Sequence, residues 1–211
     1  YDVAAQSLVK ALTLSRNDDE ACVKAEILNE LGDIALTRGK SEEASECYHA
    51  ALALYRQMND LRGEGSVLAN LSTISQNQGR SEEARSYCEQ ALSTLHEIGD
   101  RRGECHTLSL LGNILQDMQA FQQARACLEE ALSIYREIGD RAGECWGLNT
   151  LGYSLLIHRA LDEARSHFEL ALQISLQIGD QWSRSISYNN LGSVYMVMGD
   201  YGRALTALQN A

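Results

Sequence analysis

A repeat limits what this chain can become more than any other feature. Ile98-Gly99-Asp100-Arg101-Arg102-Gly103-Glu104-Cys105 returns forty residues later as Ile138-Gly139-Asp140-Arg141-Ala142-Gly143-Glu144-Cys145. Ile178-Gly179-Asp180 opens a third copy after another forty, and Met58-Asn59-Asp60-Leu61-Arg62-Gly63-Glu64 is a worn copy forty before the first. A period of this size belongs to stacked arrays, in which one supersecondary unit recurs and each copy is buried by its neighbours. The pattern points to a binding scaffold and says nothing of what is bound.

The units read as helical. No proline occurs in the 211 residues, which suits long helices, because proline removes an amide donor and clashes with the preceding turn. Aromatic residues make up only 6%, so Ala and Leu carry most of the apolar load. Residues 1–16 place Val3, Ala4, Leu8, Ala11 and Leu12 on a 3.6-residue period. Adding forty maps Ala4, Leu8, Ala11 and Leu12 onto Ala44, Tyr48, Ala51 and Leu52, so this stretch reads as the second helix of a partial repeat over 1–20. Full repeats are expected over 21–60, 61–100, 101–140 and 141–180, with another partial one over 181–211. That makes a single all-α array over 1–211 with about eleven helices. Its ends lack the polar caps of stacked arrays, and it begins at Tyr1, so a fragment of a longer protein is expected.

Within a unit, the first helix carries Leu28, Leu31, Gly32 and Ala35, and Gly39-Lys40 breaks it. Ser41-Glu42-Glu43-Ala44 starts the second helix, with Ser41 expected to cap free amides and the glutamates to favour the positive end of the dipole. Asn59-Asp60 closes the unit, and Asp60 is placed to cap the next helix. Leu31 recurs as Leu71, Leu111, Leu151 and Leu191, and Gly32 as Gly112, Gly152 and Gly192, with Ser72 the exception. Ala44 and Ala51 recur in every later unit through Ala204 and Ala211. Small residues at fixed places let antiparallel helices approach closely, with larger neighbours filling the holes.

Composition removes several classes of function. The formal charge is -11 and no Lys/Arg cluster exceeds pairs such as Arg101-Arg102, which argues against nucleic acid and anionic membranes. No apolar run approaches the roughly 18 residues of a membrane span, and no signal-peptide pattern is present. The six cysteines follow the repeat rather than CxxC or Cys/His spacing, so they read as buried or partly buried thiols in a reducing, cytoplasmic setting, with no metal or cofactor. His49, His96, His106, His158 and His167 sit in no nucleophile-activating motif, and the glycine turns lack the ending of a phosphate loop. A catalytic role is not expected.

Tyr188, Leu191-Gly192, Tyr195, Gly199-Asp200-Tyr201, Ala204, Leu208 and Ala211 resemble the tetratricopeptide repeat, as do Ala164, Phe168 and Ala171. Gln119 and Arg159 depart from its turn pattern, where Gly79 keeps it. The usual repeat is about 34 residues. This longer one resembles the arrays of kinesin light chains and Pins-type polarity adaptors, and the repeat regions of bacterial STAND-class regulators. The resemblance implies a right-handed superhelical solenoid of antiparallel helix pairs. First helices would line a concave groove and second helices the convex back. Glu42, Glu43, Glu46, Glu82, Glu83, Glu89, Glu129, Glu130, Glu163 and Glu169 all fall on second helices and read as a solvated back.

Non-core stripes of the first helices then supply the candidate site. One runs Asn29, Ala69, Ser109, Asn149 and Asn189. Another runs Glu26, Ser66, His106, Trp146 and Ile186. Asn70, Asn113, Asn149, Asn189 and Asn190 could grip a peptide backbone, since an amide donates and accepts at once. Trp146, Tyr153, Leu156, Ile157, Ile186, Met196 and Val197 make the last units apolar where the first are polar, which predicts an apolar anchor toward the C-terminal end. The candidate partner-binding set is therefore Asn70, His106, Asn113, Trp146, Asn149, Tyr153, Leu156, Ile186, Asn189, Asn190 and Met196. Pins-type adaptors place arginines in the groove, but Cys105-His106, Cys145-Trp146 and Ser185-Ile186 stand at those positions, which argues against an acidic peptide.

The leading expectation is a non-catalytic scaffold that binds a peptide or protein segment in the groove. An alternative is the ligand-sensing or autoinhibitory arm of a larger signalling ATPase or transcription regulator, with contacts to its own flanking domains. Self-assembly through the uncapped ends is a third.

Overall fold

The computed structural model describes residues 19–211, and among these every regular element is a helix. Ten follow in order: α1 (Asp19–Thr37), α2 (Ser41–Met58), α3 (Leu61–Asn77), α4 (Ser81–Glu97), α5 (Arg101–Asp117), α6 (Phe121–Glu137), α7 (Arg141–Ile157), α8 (Leu161–Ile178), α9 (Gln181–Met198) and α10 (Tyr201–Gln209). The helix expected over 1–16 lies outside the described residues. Connections of two or three residues force antiparallel neighbours, and α1–α2, α3–α4, α7–α8 and α9–α10 pack as pairs. Further contacts join α2 to α3, α6 to α7, α8 to α9, and α7 to α9. Contacts gather into two compact units, one ending at Ile114 and the other beginning at Leu115, with the boundary inside α5.

One contact recurs within the pairs. In the N-terminal unit, a methyl group at Gly32 would collide with the buried Tyr48 ring. In the C-terminal unit, a Cβ on Gly152 would lie 2.6 Å from Phe168, and one on Gly192 would lie 2.7 Å from Leu208. Each partner stands sixteen residues after its glycine, so the missing side chain on one helix is the socket for a large one on the next. The exception fits the same rule. Ser72 has Cys88 sixteen residues on, and a small thiol leaves room for a hydroxymethyl group.

The conspicuous Gly-Asp-Arg-x-Gly-Glu stretch is a turn running into the first turn of the next helix, in which nearly every residue has a separate task. Gly99, Gly139 and Gly179 adopt φ of 67°, 70° and 71°, and Asn59 takes the same left-handed geometry at 54°. The next amide then reaches back: Asp100 N–H donates to Leu95 O and Asp140 N–H to Tyr135 O, both at 2.9 Å. Each aspartate caps the following helix, Asp60, Asp100 and Asp140 accepting from the N–H of Gly63, Gly103 and Gly143 at 3.1, 3.0 and 2.9 Å. Those second glycines clear space for the preceding helix, since a Cβ on Gly63, Gly103 or Gly143 would strike Tyr55, Leu95 or Tyr135. Where Tyr135 gives way to Ser175, forty residues on, Gly143 gives way to Ser183. Ser183 Oγ donates to Asp180 at 2.6 Å, and that bond holds the Asp180 carboxyl below the ordinary carboxylate range.

The glutamate closes the loop against the preceding helix. Arg56 donates to Glu64 at 2.7 Å, Arg136 to the buried Glu144 at 2.8 Å, and the His96 ring lies 2.9 Å from the buried Glu104. In the last copy both partners change together, to Leu176 and Arg184.

Three expectations change. Ser41 is the first helical residue, and the residue before it, Lys40, makes no side-chain capping bond, so Ser41 is not a cap. The turns at Gln119 and Arg159 keep the geometry of their glycine counterparts, at φ 60° and 63°, because Ala120 N–H still donates to Leu115 O and Ala160 N–H to Leu155 O. Among the cysteines, Cys22 is exposed, Cys47 and Cys127 are half-buried, and the other three are buried.

Two stability outcomes follow. Gly152→Ala forces Phe168 from its socket, and after the gain in helix propensity is deducted it is expected to cost about 1–2 kcal/mol in urea denaturation. Arg159→Gly relieves a left-handed backbone and is expected to raise stability by about 1 kcal/mol, read as a higher urea midpoint.

Candidate functional site

Core positions of each first helix are taken by its Leu-Gly contact, so the remaining stripes of α1, α3, α5, α7 and α9 are the surfaces free to vary. In the C-terminal unit α7 carries Trp146, Asn149, Tyr153 and Leu156, and the adjoining α9 carries Ile186, Asn189, Asn190 and Met196. Tyr153, Ile157, Met196 and Val197 are 52%, 53%, 51% and 45% exposed. Asn189 is also exposed, while Trp146, Leu156 and Ile186 are half-buried and Leu156 packs partly against the core.

Asn149 does not belong to that open face. It is 6% exposed, and its Nδ2 donates to Cys145 O at 3.1 Å and to Ser187 Oγ at 3.0 Å. Its Oδ1 accepts from Asn190 Nδ2 at 3.1 Å. The amide is spent on tying α7 to α9, because a buried polar group left unpaired would cost more than the bond returns. Asn190, half-buried, is the outer member of that tie.

The N-terminal unit uses the same spacing of forty-one residues. Asn70 Nδ2 donates to Asn29 Oδ1 and to Asp33 Oδ1, each at 3.3 Å. Asp33 also accepts from Tyr48 Oη at 2.5 Å, and burial together with that carboxylate pushes the Tyr48 hydroxyl well above its ordinary range. The hydroxyl therefore stays a donor. Asn113, on α5, is half-buried.

Asn70 and His106 come together on a cavity of about 360 Å³ walled by α3 and α5, with Leu95 of α4 at its floor. Arg62, Ser66, Ala69, Asp100, Arg102 and Thr107 also line it. Small residues of α3 contribute to its lining, although the space beside Gly65 is taken by Leu95, which a Cβ there would meet at 2.7 Å. Gly65 stands where later units have Cys105, Cys145 and Ser185, Ser66 where they have His106, Trp146 and Ile186, and Ala69 where they have Ser109, Asn149 and Asn189. Ser66 and Ala69 belong to the outer stripes, and nothing in the sequence alone marks the space they line. Desolvation lowers the pKa of His106 below its ordinary value. Asp100 is compensated by the Gly103 amide and by Arg62 Nε at 3.4 Å. Thr107 is 1% exposed, and its hydroxyl has no hydrogen-bond partner.

Nine of the ten back-face glutamates are exposed, and the tenth, half-buried Glu83, accepts from Ser75 Oγ at 3.0 Å. Among the described residues no group of three His, Cys, Asp or Glu is placed to hold a metal, and no helix is long and apolar enough to cross a membrane.

Family models for the tetratricopeptide repeat match residues 23–95, 63–137 and 103–177, and a further one matches 186–211. The chain belongs to the tetratricopeptide repeat family. No curated protein matches the sequence of this tetratricopeptide array. Among solved structures it is similar to BtubC (BKLC) from P. vanneervenii, at 22% identity and a TM-score of 0.85, over 99% of this chain and 86% of that one. It is also similar to a putative kinesin light chain with nearly identical TPR-like repeats from Podosopora anserina, at 18% identity and 0.71, over 87% and 90%. A third is the STAND protein with a tetratricopeptide repeat sensor from Pyrococcus horikoshii, at 19% and 0.76, over 89% of this chain but 29% of that one. At these identities the likeness concerns the fold.

The two kinds of asparagine separate by experiment. Asn149→Ala leaves buried partners unpaired and is expected to cost about 1–3 kcal/mol. Asn189→Ala, on the open face, is expected to stay within about 0.5 kcal/mol of the parent, with both measured by chemical denaturation.

Proposed function

We propose that this tetratricopeptide array is a non-catalytic interaction scaffold that holds a peptide or protein segment against its first-helix faces. Tetratricopeptide repeats commonly mediate protein–protein interaction. The observation that carries the reading is the exposed apolar face of the C-terminal unit. Tyr153, Ile157, Met196 and Val197 stand about half-exposed on two adjoining helices, and Asn189 is exposed on the second of them. Apolar groups of this size in water are a recurrent mark of docking, and a nearby amide supplies hydrogen bonds to a backbone whatever its side chains. The acidic balance of the chain, -11, supports a protein partner over a nucleic acid or an anionic membrane.

A second reading is favoured by the likeness to the STAND protein, whose repeat region is described as a sensor. Here the same face would take a small ligand or a neighbouring domain of the same protein.

The test is affinity capture from extract of the source cell, comparing the array with a Trp146→Ala/Tyr153→Ala/Asn189→Ala variant whose helicity is checked by circular dichroism. A partner held by the parent and weakened about tenfold or more by the folded variant supports the scaffold, since buried aromatic anchors carry most of an interface's energy. Equal capture by both moves the site off this face. Capture by neither favours the sensor.

A further inference from the structure

One position of the outer stripes changes character from unit to unit. Leu36, Gln76, Gln116, Leu156 and Met196 stand forty residues apart, so the same place on a first helix is apolar in three units and carries an amide in two. The core beneath does not depend on the choice. In α9 it is formed by Leu191 and Val194, which are buried, whereas Met196 is 51% exposed. The other four members of the stripe are half-buried, so Met196 is the one most open to solvent.

Methionine can pass from one of these characters to the other without a mutation. Its thioether is apolar and adaptable, and one added oxygen makes it a sulfoxide, an uncharged and polar group on an unbranched chain, as the amide of glutamine is. Access to an oxidant separates the four methionines of the chain. Met58 packs partly against the core of the N-terminal unit, Met118 is half-buried, and Met198, the last residue of α9, is 38% exposed. Met196 is the most exposed of the four. It also belongs to the apolar face that Tyr153 and Ile157 of α7 and Val197 of α9 present.

We propose that Met196 makes the apolar face of the C-terminal unit redox-sensitive, so that oxidation of its thioether by a hydroperoxide turns docking off. The proposal rests on the reading that this face holds a partner segment. In the oxidation, the sulfur attacks the outer oxygen of the hydroperoxide, and an S–O bond forms as the O–O bond breaks. The sulfur gives up two electrons. The proton of the transferred hydroxyl passes to the leaving oxygen, which departs as an alcohol, or as water when the oxidant is hydrogen peroxide. A dithiol-dependent sulfoxide reductase reverses the change, the oxygen leaving as water and the dithiol becoming a disulfide. A sulfoxide covered by a partner's apolar side chains would leave its oxygen without a hydrogen bond, and this opposes docking.

The test is a titration of the full chain with a neutral apolar probe, N-acetylleucine N-methylamide, followed by ¹H–¹⁵N correlation spectra at neutral pH. The chain is measured before and after hydrogen peroxide, with the oxidation of each methionine read by peptide mass mapping and helicity by circular dichroism. Peroxide is expected to convert Met196 well ahead of Met58, with helicity kept. The untreated chain is expected to show saturable shifts at the amides of Tyr153, Ile157, Asn189 and Val197. Once Met196 is oxidised, binding is expected to weaken about fivefold or more, because an apolar anchor has become polar. Two variants copy residues the array itself carries at this place. Met196→Gln is expected to show the weakened binding without oxidant. Met196→Leu, whatever its starting affinity, is expected to change less than about twofold on treatment, although Met198 is still present. Unchanged binding after Met196 is oxidised, an equal fall in treated Met196→Leu, or oxidation of Met58 as fast as Met196 overturns the switch and leaves docking on this face in place. Absence of saturable shifts in the untreated chain overturns the docking reading for this face and the switch with it.

Discussion

The structure depends on the close approach of paired helices at a missing side chain. Gly32 receives Tyr48, Gly152 receives Phe168 and Gly192 receives Leu208, each from the next helix. Interiors pack at crystal-like density, so the pair has one register in which large and absent side chains coincide. Once that register is fixed, Leu71, Leu151 and Leu191 fall into the core and the opposite stripes are left to solvent or a partner. Tyr48 adds a polar consequence, because its hydroxyl, held as a donor by burial, anchors Asp33 and through it Asn70.

Successive pairs are joined by a second seam built on the same exchange of volume. Tyr55 and Tyr135 need Gly63 and Gly143, while Ser175 tolerates Ser183. Arg136 needs Glu144, and Leu176 comes with Arg184. These paired changes explain why the loop motif fades in the last copy without loss of the fold. The aspartate cap, which depends only on the local backbone, persists at Asp180 and Asp200.

With both seams fixed by a few positions, the outer stripes are free to diversify at little cost to stability. Unit by unit they take opposite courses. Around α3 they are small and line part of a cavity that also carries arginine and asparagine, whereas on α7 and α9 they enlarge to Tyr153 and Met196 and present apolar surface. One backbone plan thus offers a polar socket in one unit and an apolar face in the other.

The sequence by itself determined the period, the helical class, the Leu-Gly seam and the Asp60 cap, because these rest on local geometry repeated at a fixed interval. It also placed Tyr153, Asn189 and Met196 on outer stripes, where they are exposed, although the stripe of Asn189 is buried at Ala69, Ser109 and Asn149. It could not tell that Asn149 is buried while Asn189 is open, because that depends on Ser187 and Asn190 of the next helix reaching it. Nor could it tell that Gln119 and Arg159 hold a left-handed turn, which is imposed by helices already docked on both sides. The cavity lined by Asn70 and His106 was not readable in the letters, where Ser66 and Ala69 show only as small members of their stripes. Only the folded chain, which brings residues of α3, α4 and α5 around one space, made it a place, because a void is a property of the gap between elements and not of any residue.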